Sequence, residues 1–333
     1  MHHSRPKAPF DTRRAGYLIG ASLAVVVTLI GGSGSLQPAS AATKVSRRAR
    51  PRTTTTRPST AVTKAPGSTL ATIAPAVITP KRLLFAVPPV VTGRPIKVMP
   101  LGDSLTAGTE LGNQSYRGHL YNKLVADGLS VDFVGSTQTL GLAGGDPDHE
   151  GHGAFGIGPD DTRFCEWPAD GEQKCQDQPF NIAQGVEAWL AAAEPDVVML
   201  QVGIYDLFEA TLKRGSSGLQ KTFAPGEAPL RYRNLVRQIT TLRPNVVVVI
   251  ATLLQTPWIS KGWVPFEALN AEIRRIGDES AADRVVVIDL NNVALRQSDF
   301  QDGFHLNDSA AEKMAEAWYR AVDPVLSKVS GRA

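Results

Sequence analysis

Acidic residues are almost missing from the start of this 333-residue chain. Residues 1–95 hold 14 Lys/Arg against one acid, Asp11, a net +13. Residues 96–333 reverse the balance, with 21 Lys/Arg against 31 acids, a net −10. The overall +3 therefore averages a basic arm and an acidic body. An acidic body would be repelled by phosphate backbones, which argues against nucleic acid as partner. Cysteine is also scarce. The only two, Cys165 and Cys175, lie in "FCEWPADGEQKC" with no second Cys pair or His at ligand spacing, which argues against a cysteine-built metal site. In an oxidising compartment the expectation is a short-loop disulfide between them.

One run stands out as long and apolar, "AGYLIGASLAVVVTLIGG" at residues 15–32. Arg13 and Arg14 precede it, and Ala39-Ser40-Ala41 follows as a cleavage signature, so residues 1–41 read as a signal peptide. The alternative is an uncleaved membrane anchor, since the run approaches spanning length. "TRRAGYL" resembles an imperfect twin-arginine signal. Either reading puts the bulk of the protein outside the cytoplasm, secreted or associated with the cell envelope. Residues 42–92, with "RRARPRTTTTRPSTAVTKAPGST", lack any apolar period. Such a stretch buries too little surface to offset its chain entropy and is expected to be a disordered tether. Its charge favours contact with anionic envelope polymers.

From residue 93 onward, short β-branched runs alternate with amphipathic segments. The expected strands are "IKVMPL", "VDFVGS", "DVVMLQVG", "NVVVVIATL" and "RVVVIDL". Their near-continuous apolar character suits parallel strands buried on both faces. The expected helices include "YRGHLYNKLVADG", "NIAQGVEAWLAAA", "LRYRNLVRQITTLR" and "FEALNAEIRRIGDES". A last helix, "SAAEKMAEAWYRAV", is expected after a cap at Asn307 or Asp308. This alternation predicts a three-layer α/β/α domain around a five-stranded parallel sheet.

In such sheets ligands bind beyond the carboxyl ends of the strands, near the switch point in strand order. Ser104, in "MPLGDSLTAG", follows the first strand, and Tyr205-Asp206 follow the third. Asp302 and His305, in "QDGFHLND", lie beyond the fifth. A serine nucleophile needs a base, usually histidine, and an acid to orient it. The Asp-x-x-His spacing lets Asp302 meet Nδ1 of His305 while Nε2 faces Ser104. The competing readings are a simple helix cap at Gly102-Asp103-Ser104 and an exposed polar loop at 302–305. His149 and His152, in "DPDHEGHGAFGIG", are the second choice of base, and with Glu150 they suggest a metal. Gly151 and Gly153 argue against the helix that such a motif needs, so a glycine-rich loop lining a pocket is expected.

These residues together resemble the SGNH, or GDSL-type, esterases, especially their secreted acetyl xylan esterase-like branch. The resemblance covers nearly all of residues 96–325. "MPLGDSLTAG" looks like the first block, "HEGHGAFGIG" the second, "VGIYDL" the third and "DGFHLN" the fifth. It implies a flavodoxin-like fold, a Ser104-His305-Asp302 triad, no cofactor, and an oxyanion hole from Ser104, Ala154 and position 205. Asp103 and Asp206 are candidates for substrate contact. Two positions depart from the family pattern. Tyr205 stands where Gly-x-Asn-Asp has its asparagine, and Ala154 stands where a glycine is usual.

The resemblance implies removal of short acyl groups, above all acetyl, from an acylated small molecule or polysaccharide. Trp167, Trp258 and Trp263 lie in expected loops, where each either stacks on a sugar ring or packs its own loop. Two alternatives remain open at this level. One is a lipid or thioester hydrolase on the same scaffold. The other is a binding module that has lost catalysis, with Tyr205 as the symptom.

Overall fold

β-Branched residues build the centre of the molecule. The computed structural model describes residues 91–332 apart from 109–114, 160–162, 177–179, 209–213, 221–223 and 281–283. The expected targeting segment at 1–41 and nearly all of the expected tether at 42–92 lie outside the described residues. Among those described, no helix is long and apolar enough to cross a membrane. The Val91 N–H donates to the Val329 carbonyl at 2.9 Å, so residue 91 is held against the last helix.

The first half contributes strands β1 (Ile96–Gly102), β2 (Val131–Phe133), β3 (Thr137–Gln138), β4 (Asp148–Gly151), β5 (Arg163–Trp167) and β6 (Lys174–Cys175). The second half contributes β7 (Val197–Gln201), β8 (Ser216–Gln220), β9 (Val247–Ala251) and β10 (Val285–Ile288). The five expected strands are β1, β2, β7, β9 and β10. They pair in parallel in the order β2-β1-β7-β9-β10. That is the doubly wound order whose switch point lies between β1 and β7. The register sets Leu101 beside Leu200 and Met199 beside Val249. All five residues of β9 are buried, and each of its valine and isoleucine side chains contributes about 1.5–3 kcal/mol on leaving water.

Among the described residues, seven α-helices accompany the sheet: α1 (Ser104–Ala107), α2 (Arg117–Ala126), α3 (Ile182–Ala193), α4 (Ile204–Leu207), α5 (Ala228–Leu242), α6 (Val264–Glu279) and α7 (Asp308–Val329). α2 packs on α7, where Tyr116 stacks on Trp318 at 5.4 Å, while α3, α5 and α6 pack in succession. Asn307 caps α7, its side-chain oxygen accepting from Ala310 N–H at 3.0 Å. That helix runs seven residues past the expected end at Val322, through Pro324, because Val325, Leu326 and Val329 are buried against the core.

Two features depart from expectation. "DHEG" is not a loop: β4 pairs with the last residues of β1, Leu101 beside Glu150, and antiparallel with β3. A small second sheet, β6-β5-β8, is antiparallel. There Cys165 faces Cys175 across the pair, and the two are joined by a disulfide.

Candidate active site

β1 ends where the chain must turn without a side chain. A Cβ on Gly102 would stand 2.1 Å from the Gln201 carbonyl of β7 and 2.6 Å from Thr106 Oγ1, so glycine lets the two strands close up under the turn. Asp103 then caps α1, accepting from Leu105 N–H at 3.0 Å, and Ser104 opens that short helix. Ser104 is nearly buried, yet its Oγ lies 3.0 Å from Nε2 of His305. His305 Nδ1 lies 2.6 Å from Asp302 Oδ2. With the ring proton on Nδ1 donated to Asp302, Nε2 is left as acceptor for the serine hydroxyl. The second carboxylate oxygen of Asp302 accepts from the N–H groups of Phe304 and His305 at 2.9 and 2.7 Å. Partial burial pushes this carboxyl upward, but those donors and the imidazole hold it below its ordinary range, so it stays ionised.

The loop carrying these groups is pinned at its base. Phe300 bridges to Leu306, Gln301 N–H donates to the His305 carbonyl at 2.9 Å, and Asn307 N–H donates to the Asp299 carbonyl at 3.0 Å. Asp302 and His305 thus face one another across a closed turn.

Tyr205, the first-turn residue of α4, brings its phenol within hydrogen-bonding reach of Ser104. Burial and the charge of Asp103 push that phenol up to about 12, against the pull of the Ser104 contact. It is therefore a protonated donor at any working pH. Its ring meets Phe304 edge-on at 6.3 Å, and Phe304 meets His305 at 5.1 Å. Ala154 is buried with φ 64°, the left-handed region that a glycine enters freely. The methyl group has not excluded the conformation, though such a residue costs about 1–2 kcal/mol.

The sequence pattern of the GDSL-like lipase/acylhydrolase family matches residues 101–313, which include every group just described. The chain belongs to that family. The putative endoglucanase X of Acetivibrio thermocellus is 28% identical over 155 residues, 45% of this chain and 60% of that protein. A multidomain esterase of Ruminococcus flavefaciens is 24% identical over 246 residues, 71% of this chain and 29% of that protein. The chain thus spans less than two thirds of either curated relative. Among solved structures, the Clostridium thermocellum family 3 carbohydrate esterase superposes with a TM-score of 0.53 at 29% identity, covering 72% of this chain and 100% of its own. A carbohydrate esterase family 3 structure from Talaromyces cellulolyticus shares the fold at TM-score 0.52 and 22% identity, over 70% of this chain and 98% of its own.

Not every candidate residue of this GDSL-like chain reaches the cleft. Asp103 and Asp206, expected to touch substrate, are both fully buried. Asp206 accepts from Ile157 N–H at 3.0 and 3.2 Å and pairs with Arg231 Nη2 of α5 at 3.0 Å. Arg231 Nε also donates to the Gly158 carbonyl at 3.4 Å. This clamp ties the stretch after Ala154 to the helix bearing Tyr205. Burial pushes Asp103 up to about 7, opposed by Leu105 N–H and reinforced by the charge of Asp206. Sequence reasoning missed Arg231, since an arginine in an amphipathic helix gives no sign of facing inward.

The alternative bases are engaged elsewhere. His149 is buried, accepts from Gly151 N–H at Nδ1 (2.9 Å), and meets Thr139 Oγ1 through Nε2 at 2.9 Å. Burial, then the charges of Arg117 and His152, drop it to about 2, so it is neutral. His152 meets Glu150 Oε1 at 2.7 Å and stacks between Phe155 and Trp189 at 4.7 and 4.5 Å. Glu150 also accepts from Ser136 N–H and Oγ. Among the tryptophans, Trp263 packs on Phe208 at 5.3 Å, and the Arg214 guanidinium lies over Trp167.

Proposed function

We propose that the protein is an extracytoplasmic serine esterase that removes short acyl groups, acetyl foremost, from carbohydrate. The observation that carries this reading is the line Ser104 Oγ–His305 Nε2–Asp302, with separations of 3.0 and 2.6 Å. Ser104 Oγ attacks the ester carbonyl as its proton passes to His305 Nε2. The C–O bond to the alcohol then breaks, and the leaving oxygen takes that proton, which leaves an acyl-serine. Water attacks the acyl carbon, gives its proton to His305 and releases the acid as Ser104 recovers its hydrogen. Asp302 stays ionised throughout and stabilises the imidazolium.

The oxyanion is held by the N–H groups of Ser104 and Ala154 and by the Tyr205 phenol in place of the family's asparagine amide. As Oγ bonds to the carbonyl carbon, that phenol leaves the serine and turns to the developing oxyanion. The resulting site is narrow. Tyr205 and Phe304 wall it, and Ala154 carries a methyl where glycine is usual, so small acyl groups are favoured. The sugar side rests on the 29% identity to a carbohydrate esterase along that protein's full length. The location rests on the apolar run behind Arg13-Arg14 and on the Cys165–Cys175 disulfide. The basic arm at residues 42–92 supplies envelope contact.

Chain-length selectivity is the test. Hydrolysis of p-nitrophenyl acetate should exceed that of the octanoate by about tenfold or more in kcat/KM. A preference for octanoate would replace this reading with a lipid or thioester hydrolase, and no turnover of either ester would favour a lapsed binding module.

A further inference from the structure

One aromatic side chain near the site is left open to solvent. Trp258 lies in the turn after β9, on the same carboxyl edge of the sheet as Ser104 and Tyr205, and remains 38% exposed. Its setting is nevertheless ordered. Ile259 N–H donates to the Thr256 carbonyl at 3.0 Å, and Gln255 Nε2 donates to the Ile259 carbonyl at 2.8 Å, which fixes the turn. The indole lies against Phe304 at 6.0 Å, tilted by 35°. It also lies against Gly303, where a Cβ would come within 2.5 Å of the indole nitrogen; that glycine has φ +85°. Glycine at 303 thus leaves room for the indole to lie beside this turn.

The three aromatic rings of Trp258, Phe304 and Tyr205 form a run from solvent to the nucleophile, at 6.0 and 6.3 Å between successive centroids. Phe304 is buried and Tyr205 half-buried, so Trp258 is the member with a face to offer. A flat, apolar, rigid surface with a polar edge suits a ligand that is apolar on one face and hydroxylated at its rim, which describes a pyranose ring. An acyl chain would require a closed groove instead, and an indole more than one-third open to water does not provide one.

We propose that Trp258 is the stacking platform for a sugar ring of the alcohol portion of the substrate, and so a specificity residue beside the catalytic line. This rests on the carbohydrate reading above. The expected effect is on binding of a sugar ester and not on chemistry at a small ester.

The test compares wild type with Trp258→Ala and Trp258→Phe on two substrates, p-nitrophenyl acetate and an O-acetylated xylo-oligosaccharide. Trp258→Ala should raise KM for the oligosaccharide by about five- to tenfold, the worth of one aromatic stacking contact, with kcat little changed. Activity on p-nitrophenyl acetate should stay within about twofold of wild type in the same variant, and Trp258→Phe should recover much of the oligosaccharide KM. Equal losses on both substrates would make Trp258 a support for the His305 turn and overturn the platform. Unchanged kinetics on both would overturn it as well. If wild type cleaves p-nitrophenyl acetate but no acetylated sugar, the carbohydrate reading itself fails and takes the platform with it.

Discussion

Replacing Tyr205 with phenylalanine isolates one oxygen atom. The substituted ring keeps its edge contact with Phe304, so packing at the site is preserved. What is lost is the phenol that reaches Ser104. If that phenol only steadied the resting serine, the loss would be one hydrogen bond, about 1 kcal/mol, and rates would change by severalfold at most. If it donates to the developing oxyanion, the loss is about 2.7–4 kcal/mol, a factor of about 10²–10³ in kcat. The second value is expected, because the proposed mechanism turns the phenol to the oxyanion as Ser104 Oγ attacks. KM should change little, since the charge exists only in the transition state. The assay is steady-state hydrolysis of p-nitrophenyl acetate, with the far-UV spectrum confirming an unchanged fold. A kcat for Tyr205→Phe within about twofold of wild type would refute the donor role and leave Tyr205 as a wall of the pocket.

Two further outcomes follow from the buried charges. Arg231→Met leaves Asp206 buried without its cation and should cost about 3–5 kcal/mol, a fall of roughly 10 °C or more in Tm, with the double variant Arg231→Met/Asp206→Asn recovering most of it; equal melting of the single variant and wild type would contradict the clamp. Asp103 is raised from the usual 3.8 to about 7, so the fold prefers its neutral form. The unfolded chain releases that proton first, and the stability Asp103 contributes is full below about pH 4 and lost as pH climbs to about 7, on the order of 4 kcal/mol. Asp103→Asn should flatten that part of the stability curve in urea titrations at pH 4 to 8, and an unaltered slope would contradict it.

The legible parts of the fold were those where one physical effect dominates. Runs such as "VVVVIA" have no reading except a strand buried on both faces, and all five such runs lie in the parallel sheet. β4 was illegible because its buried residues, His149 and Glu150, are polar and owe their burial to partners distant in sequence, Thr139 and Ser136. β5 and β8 pair across about fifty residues and belong to a sheet whose register depends on long-range contacts, which no local pattern encodes. The pattern "SAAEKMAEAWYRAV" stops at Val322, whereas burial of Val325, Leu326 and Val329 carries helix α7 on through Pro324. Within the site, Ser104, Asp302 and His305 were visible as a spacing on a shared sheet edge. Asp103 and Asp206 look like site residues by position, but both are buried, Asp103 as the cap of α1 and Asp206 against Arg231, which α5 brings inward.

The most direct measurement of the central claim is covalent capture of Ser104. An alkyl p-nitrophenyl phosphonate should release one equivalent of p-nitrophenolate per chain and leave a single adduct, located by peptide mass spectrometry on Ser104. Ser104→Ala should take up none, and His305→Ala should react slower by on the order of 10³-fold, because serine without its base is a weak nucleophile. Labelling on another residue, or uptake by Ser104→Ala equal to wild type, would contradict the account.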